Sequence, residues 1–258
     1  MSRFTRALVR RPTPNFADGL TSAALGAPDV ALALAQHAAY VATLERLGLT
    51  IHALPPEPAH PDATFLEDTA VLAPRCAVLC RPGAPSRAGE VTAVAPALRA
   101  AFPGLLAIEP PGTVDGGDIC DAGDHFFIGV SHRTNLAGAR QLADLLGDAG
   151  YGSAFVDITA TPGILHLKSG VAWLGGDRLL VIEALADHPA FETWERIVVP
   201  AGEEYAANAV LVNDRLLVAS GFPRTAERLA GLGMALEPLA MSEFRKMDGG
   251  LSCLSLRW

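Results

Sequence analysis

One succession of strand, turn, strand, helix and strand recurs along nearly the whole chain, and it limits the fold more than any other feature. Residues 67–80 read as strand, turn, strand, residues 89–101 as a helix and 105–109 as a strand. The succession returns with 118–129, the helix 135–146 and the strand 152–157. It returns again with the strand pair 169–182, and once more with 208–220, the helix 224–231 and the strand 236–239. Asp68, Asp118, Ser169, Asn208 and Cys253 mark equivalent points and stand 50, 51, 39 and 45 residues apart. Periods of roughly 20–50 residues belong to solenoids, propellers and arrays. The opening segment has a strand at 5–11, a helix over 28–47 and a strand at 50–54, but lacks the first strand of a unit. The closing strand, 252–258, has no unit of its own. Pairing the two completes a fifth ββαβ copy and predicts a closed ring, which removes exposed sheet edges. No run of Ser, Gly or charge divides the 258 residues, so one domain, 1–258, is expected.

Half of the residues are apolar, enough for a sizeable core. The net charge of −8 argues against a nucleic-acid partner, which needs clustered Lys and Arg. The first residues carry charge but no apolar run follows them, so no signal peptide is expected. No stretch approaches the ~18 apolar residues of a membrane span. Cys76, Cys80, Cys120 and Cys253 are too few for a disulfide framework at this length, and no His/Cys spacing suits structural zinc. A cytoplasmic protein with reduced thiols is the expectation. Monomer and homodimer are both compatible with the sequence.

Taken alone, Cys253 reads as a small buried hydrophobe. The repeat changes that reading. Polar or reactive residues stand at the first strand of each copy: Glu67 and Asp68, then Asp115 and Asp118, open theirs, His166 and Ser169 come just before theirs, Asn208 opens the next, and Cys253 falls in the last strand. Equivalent strand starts in a ring converge on its axis, so a cysteine, a histidine and several acids should share one site. Cys, His and acid form a nucleophile–base–orienter set. Carboxylates push a thiol toward its neutral form. The set therefore fits a planar cationic substrate, which pairs with the acids and favours the thiolate beside it. Gly116-Gly117 and Gly249-Gly250 are places where backbone can approach a ligand or make a turn.

The segments Phe65-Leu-Glu-Asp-Thr69, Val114-Asp-Gly-Gly-Asp118, Gly129-Val-Ser-His-Arg-Thr-Asn135, Leu165-His-Leu-Lys-Ser169, Ala207-Asn208 and Met241 to Cys253 occur in that order. Together they resemble the dimethylarginine dimethylaminohydrolase family, over nearly the full length. The resemblance implies the α/β fold of the guanidino-group-modifying superfamily, a five-bladed α/β-propeller of ββαβ repeats with pseudo-fivefold symmetry. It implies hydrolysis of Nω-methylated arginine to citrulline and a methylamine, with neither metal nor organic cofactor. By the same resemblance Cys253 is the nucleophile, His166 the proton carrier and Asp115 its supporting acid. Glu67 and Asp68 fall beside the guanidinium, and Asp62 takes the α-amine. Arg87 and Arg133 lie at the α-carboxylate, where a planar fork suits the ligand. Leu20 sits on a closing loop, and Met247 offers a backbone contact. Lys168, Ser169 and Asn208 are expected to support backbone. Inhibition by Zn²⁺ is expected where a reduced Cys stands beside His and Asp.

Arginine deiminases share this chemistry but are longer, with an inserted helical domain that finds no counterpart here. Agmatine deiminases are longer too, and their substrate has no carboxylate for Arg87 and Arg133. An amidinotransferase, passing the group to an amine, stays open on sequence grounds. A non-catalytic binding propeller fits poorly with an intact Cys253, His166 and Asp115.

Overall fold

The computed structural model describes residues 4–258. It contains five three-stranded sheets. The first sheet joins the two ends of the chain. Strand β1 (Arg6–Arg10) pairs antiparallel with β15 (Ser255–Arg257) and parallel with β2 (Thr50–Leu54). The predicted seam is thus present, with Leu8 opposite Leu256. The other four sheets repeat the arrangement within themselves. They are β3 (Ala70–Ala73), β4 (Cys76–Leu79) and β5 (Leu106–Ala107); β6 (Ile119–Asp121), β7 (His125–Val130) and β8 (Gly152–Asp157); β9 (Val171–Gly175), β10 (Arg178–Val181) and β11 (Glu195–Val198); and β12 (Val210–Val212), β13 (Arg215–Ala219) and β14 (Leu236–Leu239). In each the first strand is antiparallel to the second and the second parallel to the third.

All five first strands contribute side chains to one axial channel of about 140 Å³. The middle strands are covered on both faces; Leu8, Val78, Phe127, Leu180 and Leu217 are all fully buried. That is why these strands read as continuous apolar runs rather than alternating ones.

A parallel pair needs a crossover, and four blades supply it with a helix: α1 (Val30–Arg46), α2 (Glu90–Ala101), α3 (Leu136–Asp148) and α4 (Pro223–Gly231). Their ends follow the sequence. The Asp29 carboxylate caps α1 by accepting from Leu32 N–H, and the Asn135 side chain caps α3 by accepting from Gly138 N–H. Proline opens α4, where its missing N–H costs nothing. The blade of β9 to β11 departs from the predicted unit. Between β10 and β11 it has only the 310 turns Glu183–Leu185 and Pro189–Phe191. Pro189 breaks that segment, and the missing helix accounts for the short 39-residue spacing.

The reactive residues also sit one step earlier than predicted. Each first strand is preceded by a 310 turn: Leu66–Thr69, Gly116–Asp118, Leu167–Ser169, Glu204–Ala207 and Ser252–Leu254. Cys253 belongs to the last of these turns, not to the final strand. A turn rather than a pleated strand lets consecutive residues such as Glu67 and Asp68 both remain buried at the ring's centre.

The face of α1 against the ring holds Ala33, Gln36, His37, Tyr40, Thr43 and Leu44, at the three- and four-residue spacing of a buried stripe. His37 Nε2 has no hydrogen-bond partner there. Burial lowers its pKa to about 4, against a smaller opposing effect of a hydrogen bond to the Arg10 backbone. The neutral ring is therefore the folded form, and the unfolded chain binds more protons between pH 6.5 and 4. Stability is held above pH 6.5 and lost as the pH falls through that window. In His37→Leu the loss between pH 7 and 4 is expected to be smaller by on the order of 3 kcal/mol. Urea unfolding of both proteins at the two pH values measures it; parallel losses would contradict a buried neutral imidazole.

Candidate active site

The 310 turns at one end of the ring pack against one another and bring their side chains together. Asp115 is fully buried; its Oδ1 accepts from Gly83 N–H at 2.8 Å, and its Oδ2 lies 3.1 Å from His166 Nε2. The other edge of the ring, His166 Nδ1, is 4.0 Å from Asp68 Oδ1. The same Asp68 oxygen accepts from Gly117 N–H at 2.8 Å. A Cβ on Gly117 would come within 2.7 Å of His166 Nδ1 and 2.8 Å of Asp68 Oδ1. Only glycine permits this approach, so the Gly-Gly pair serves close packing of backbone against the histidine. Leu167 N–H donates to Asp118 Oδ1 at 3.0 Å, which holds the backbone just after His166.

Burial alone would lower the His166 pKa. The surrounding carboxylates of Asp68, Asp118 and Asp115 outweigh it and raise the value to about 9. Burial would raise that of Asp68, but the charges of His166 and Arg87 and the hydrogen bonds from Arg87 and Gly117 hold it low. The two form an imidazolium–carboxylate contact at neutral pH. Cys253 goes the other way. Burial, then the charges of Glu67 and Asp68, push its thiol up to about 12. The Gly250 N–H, 3.4 Å from Sγ, opposes this only in part.

A small cavity of about 20 Å³ joins these groups to the predicted binding residues. Cys253, His166 and Asp68 lie on it with Leu20, Asp62, Arg87, Arg133 and Met247. Leu20 N–H donates to both oxygens of Asp62, at 3.2 and 3.1 Å. Arg133 Nη1 is buried without a hydrogen-bond partner. Arg133 is no cap for α3, since Asn135 has that position. A second cavity, about 570 Å³, meets the first across Leu165, Asp248, Gly249 and Cys253.

Two predicted residues are held by protein partners of their own. Glu67 lines the axial channel and not the small cavity. Its carboxylate is paired with Lys168 Nζ, accepts from Ser252 Oγ at 2.5 Å and lies 3.7 Å from Arg257 Nη2. Arg87 is buried and engaged: Nη1 reaches Asp68 Oδ2 at 2.5 Å, Nε and Nη2 reach the two Glu90 oxygens at 2.9 and 2.8 Å, and Nη2 also reaches Phe65 O at 3.1 Å. Asn208 ties turns together as expected: its Nδ2 donates to Lys168 O at 2.9 Å and its Oδ1 accepts from Ser252 N–H at 3.0 Å.

Sequence reasoning missed Glu90 and Asp248. The Arg-x-x-Glu spacing was a usable signal for Glu90. Asp248 adopts φ 56° and accepts from Ser22 N–H, Ser22 Oγ and, weakly, Thr21 Oγ1, which fastens the loop carrying Leu20 over the site. No local pattern announces that contact. One His and two acids could hold a metal: donor atoms of Asp68, Asp115 and His166 lie within 4.8 Å of one another. Among the described residues no helix is long and apolar enough to cross a membrane.

No family model matches the chain. An N(G),N(G)-dimethylarginine dimethylaminohydrolase of Pseudomonas aeruginosa is 43% identical over 256 residues, covering 99% of this chain and 100% of that one. One of Streptomyces coelicolor is 37% identical over 254 residues, covering 98% and 96%. Among solved structures, a cysteine-to-serine mutant of the P. aeruginosa enzyme complexed with citrulline matches with a TM-score of 0.96 at 42% identity, covering both chains fully. An adduct of a histidine-to-glycine variant with S-methyl-L-thiocitrulline matches at 0.95 and 42% identity, covering 99% of this chain and all of that one.

Proposed function

The chain belongs to the dimethylarginine dimethylaminohydrolase family, and from that premise we propose that it hydrolyses Nω-methylated L-arginine to L-citrulline and a methylamine, with Cys253 as the nucleophile. The observation that carries this is one cavity lined by Cys253, His166 and Asp68 together with Asp62 and Arg133, whose Nη1 has no hydrogen-bond partner. An unpartnered cationic nitrogen and an acid, beside a thiol, a histidine and a second acid, suit an amino acid with a guanidinium tail.

In this reading the α-carboxylate pairs with Arg133, the α-amine with Asp62, and Leu20 and Met247 enclose the chain between them. The guanidinium docks on Asp68. Its positive charge beside Sγ lowers the thiol pKa and releases the thiol proton. The thiolate adds to the guanidinium carbon. His166, an imidazolium at rest, gives its proton to the departing amine and so breaks the C–N bond. The neutral ring then takes a proton from water as its oxygen attacks the thiouronium carbon, and the thiolate leaves. Asp115 holds the imidazole through Nε2. Arg87 is assigned to fixing Asp68, and Glu67 to fixing the turn of Cys253 through Ser252, rather than to touching substrate.

The test is citrulline formation from dimethylarginine, arginine and agmatine. Dimethylarginine should be turned over fastest; faster turnover of arginine would move the assignment to a deiminase. The protonation states add a second expectation. Free enzyme carries a neutral thiol and a charged histidine, and the transition state has one proton fewer. Hence kcat/KM should rise about tenfold per pH unit through neutrality until His166 loses its proton at about 9. A flat profile between pH 6 and 8, or thiolate absorbance in the free enzyme there, would show a preformed thiolate instead.

A further inference from the structure

The second cavity is larger than the proposed reaction requires. Its volume, about 570 Å³, falls in the range that holds whole drug-sized ligands. The two methyl groups of dimethylarginine would fill only a small part of it. Leu25, Pro162, Ile164, Leu165, Ile182 and the Tyr205 ring give it apolar walls. It touches Cys253 and none of the groups assigned to the amino-acid end. An arginine laid from Asp62 and Arg133 toward Cys253 has its guanidinium at the boundary between the two cavities. Whatever is attached to Nω then points past Leu165 into the larger one.

We propose that this cavity is a subsite for the Nω substituent and that it admits apolar groups much larger than methyl, making Nω-alkyl- and Nω-arylalkyl-L-arginines substrates. The proposal rests on the substrate orientation given above. The chemistry is unchanged: the C–Nω bond breaks, the alkylamine leaves with the proton from His166, and the oxygen of water becomes the ureido oxygen of citrulline. No further reactant is needed. Ser22, Ser169, Glu204, Asn208, Arg245 and Asp248 add polar groups to the lining, so selectivity among apolar substituents rests on space and on the apolar walls.

The experiment compares kcat/KM of the purified protein for Nω,Nω-dimethyl-, Nω-butyl- and Nω-benzyl-L-arginine, read as citrulline. The butyl compound should come within about tenfold of the dimethyl compound. Ile164→Trp and Leu25→Trp, which fill the cavity from two sides, should cut butyl and benzyl turnover at least about tenfold and dimethyl turnover less than about twofold. A butyl value more than tenfold below dimethyl in the unaltered protein overturns the subsite. So do losses in the tryptophan variants that do not follow substituent size. Failure of dimethylarginine itself to yield citrulline is a separate result and removes the reaction assigned above.

Discussion

Cys253→Ser is expected to lower dimethylarginine turnover by at least ~10³-fold while the protein stays folded. The Cys253 thiol is pushed to about 12, so even sulfur needs the bound cation to ionise. A serine hydroxyl starts far less acidic, and the same guanidinium cannot bring it into range. No other cysteine can take over, since Cys76, Cys80 and Cys120 lie outside the small cavity. The fold should tolerate the change. Only the Gly250 N–H and the Ser252 hydroxyl, 3.4 and 3.9 Å from Sγ, address this side chain, and an oxygen can serve both. Steady-state kinetics, a thermal melt and citrulline binding make up the check. Turnover above about 1% of the unaltered protein, with the melt unchanged, would remove Cys253 from the role of nucleophile.

The ring was legible because its cause is local. Period and apolar runs report strands, and an unpaired strand at each end of the chain demands that the ends meet, as Leu8 and Leu256 do. The reactive part of the candidate site was legible for the same reason: equivalent points of a ring share its axis, so Cys253, His166 and Asp68 were expected as neighbours, whereas Leu20, Asp62, Arg87, Arg133 and Met247 came only from the family resemblance. What the sequence concealed were choices among near neighbours. Glu67 and Asp68 are adjacent and chemically alike, yet one turns to Lys168 in the axial channel and the other to His166. That split depends on a 310 turn, whose hydrogen bonds leave no periodic trace in four residues. The latch from Asp248 to Ser22 crosses 226 residues and rests on one carboxylate at a positive φ. The absent helix before β11 could have been read from Pro189 and the short spacing.

Arg87→Ala is expected to lower folding stability by about 3–5 kcal/mol. The guanidinium is buried between Asp68 and Glu90, bonding to each, and its removal leaves two buried carboxylates with no cation between them. Burial already raises the Glu90 pKa, opposed chiefly by the charge of Arg87. Without Arg87 this acid should take up a proton, and Asp68 should lose part of the force that keeps it ionised toward His166. Activity should therefore fall along with stability, through Asp68. A carboxylate-binding arginine would behave otherwise. Arg133→Ala, which removes a group with no protein partner at Nη1, should raise KM for dimethylarginine and leave the urea midpoint nearly unchanged. Arg87→Ala with Glu90→Leu should recover part of the lost stability, because the second change removes one of the stranded charges. Urea unfolding of the four proteins decides between the roles. An unshifted midpoint in Arg87→Ala together with a raised KM would return Arg87 to the substrate's carboxylate and leave Asp68 to be held by Gly117 and His166 alone.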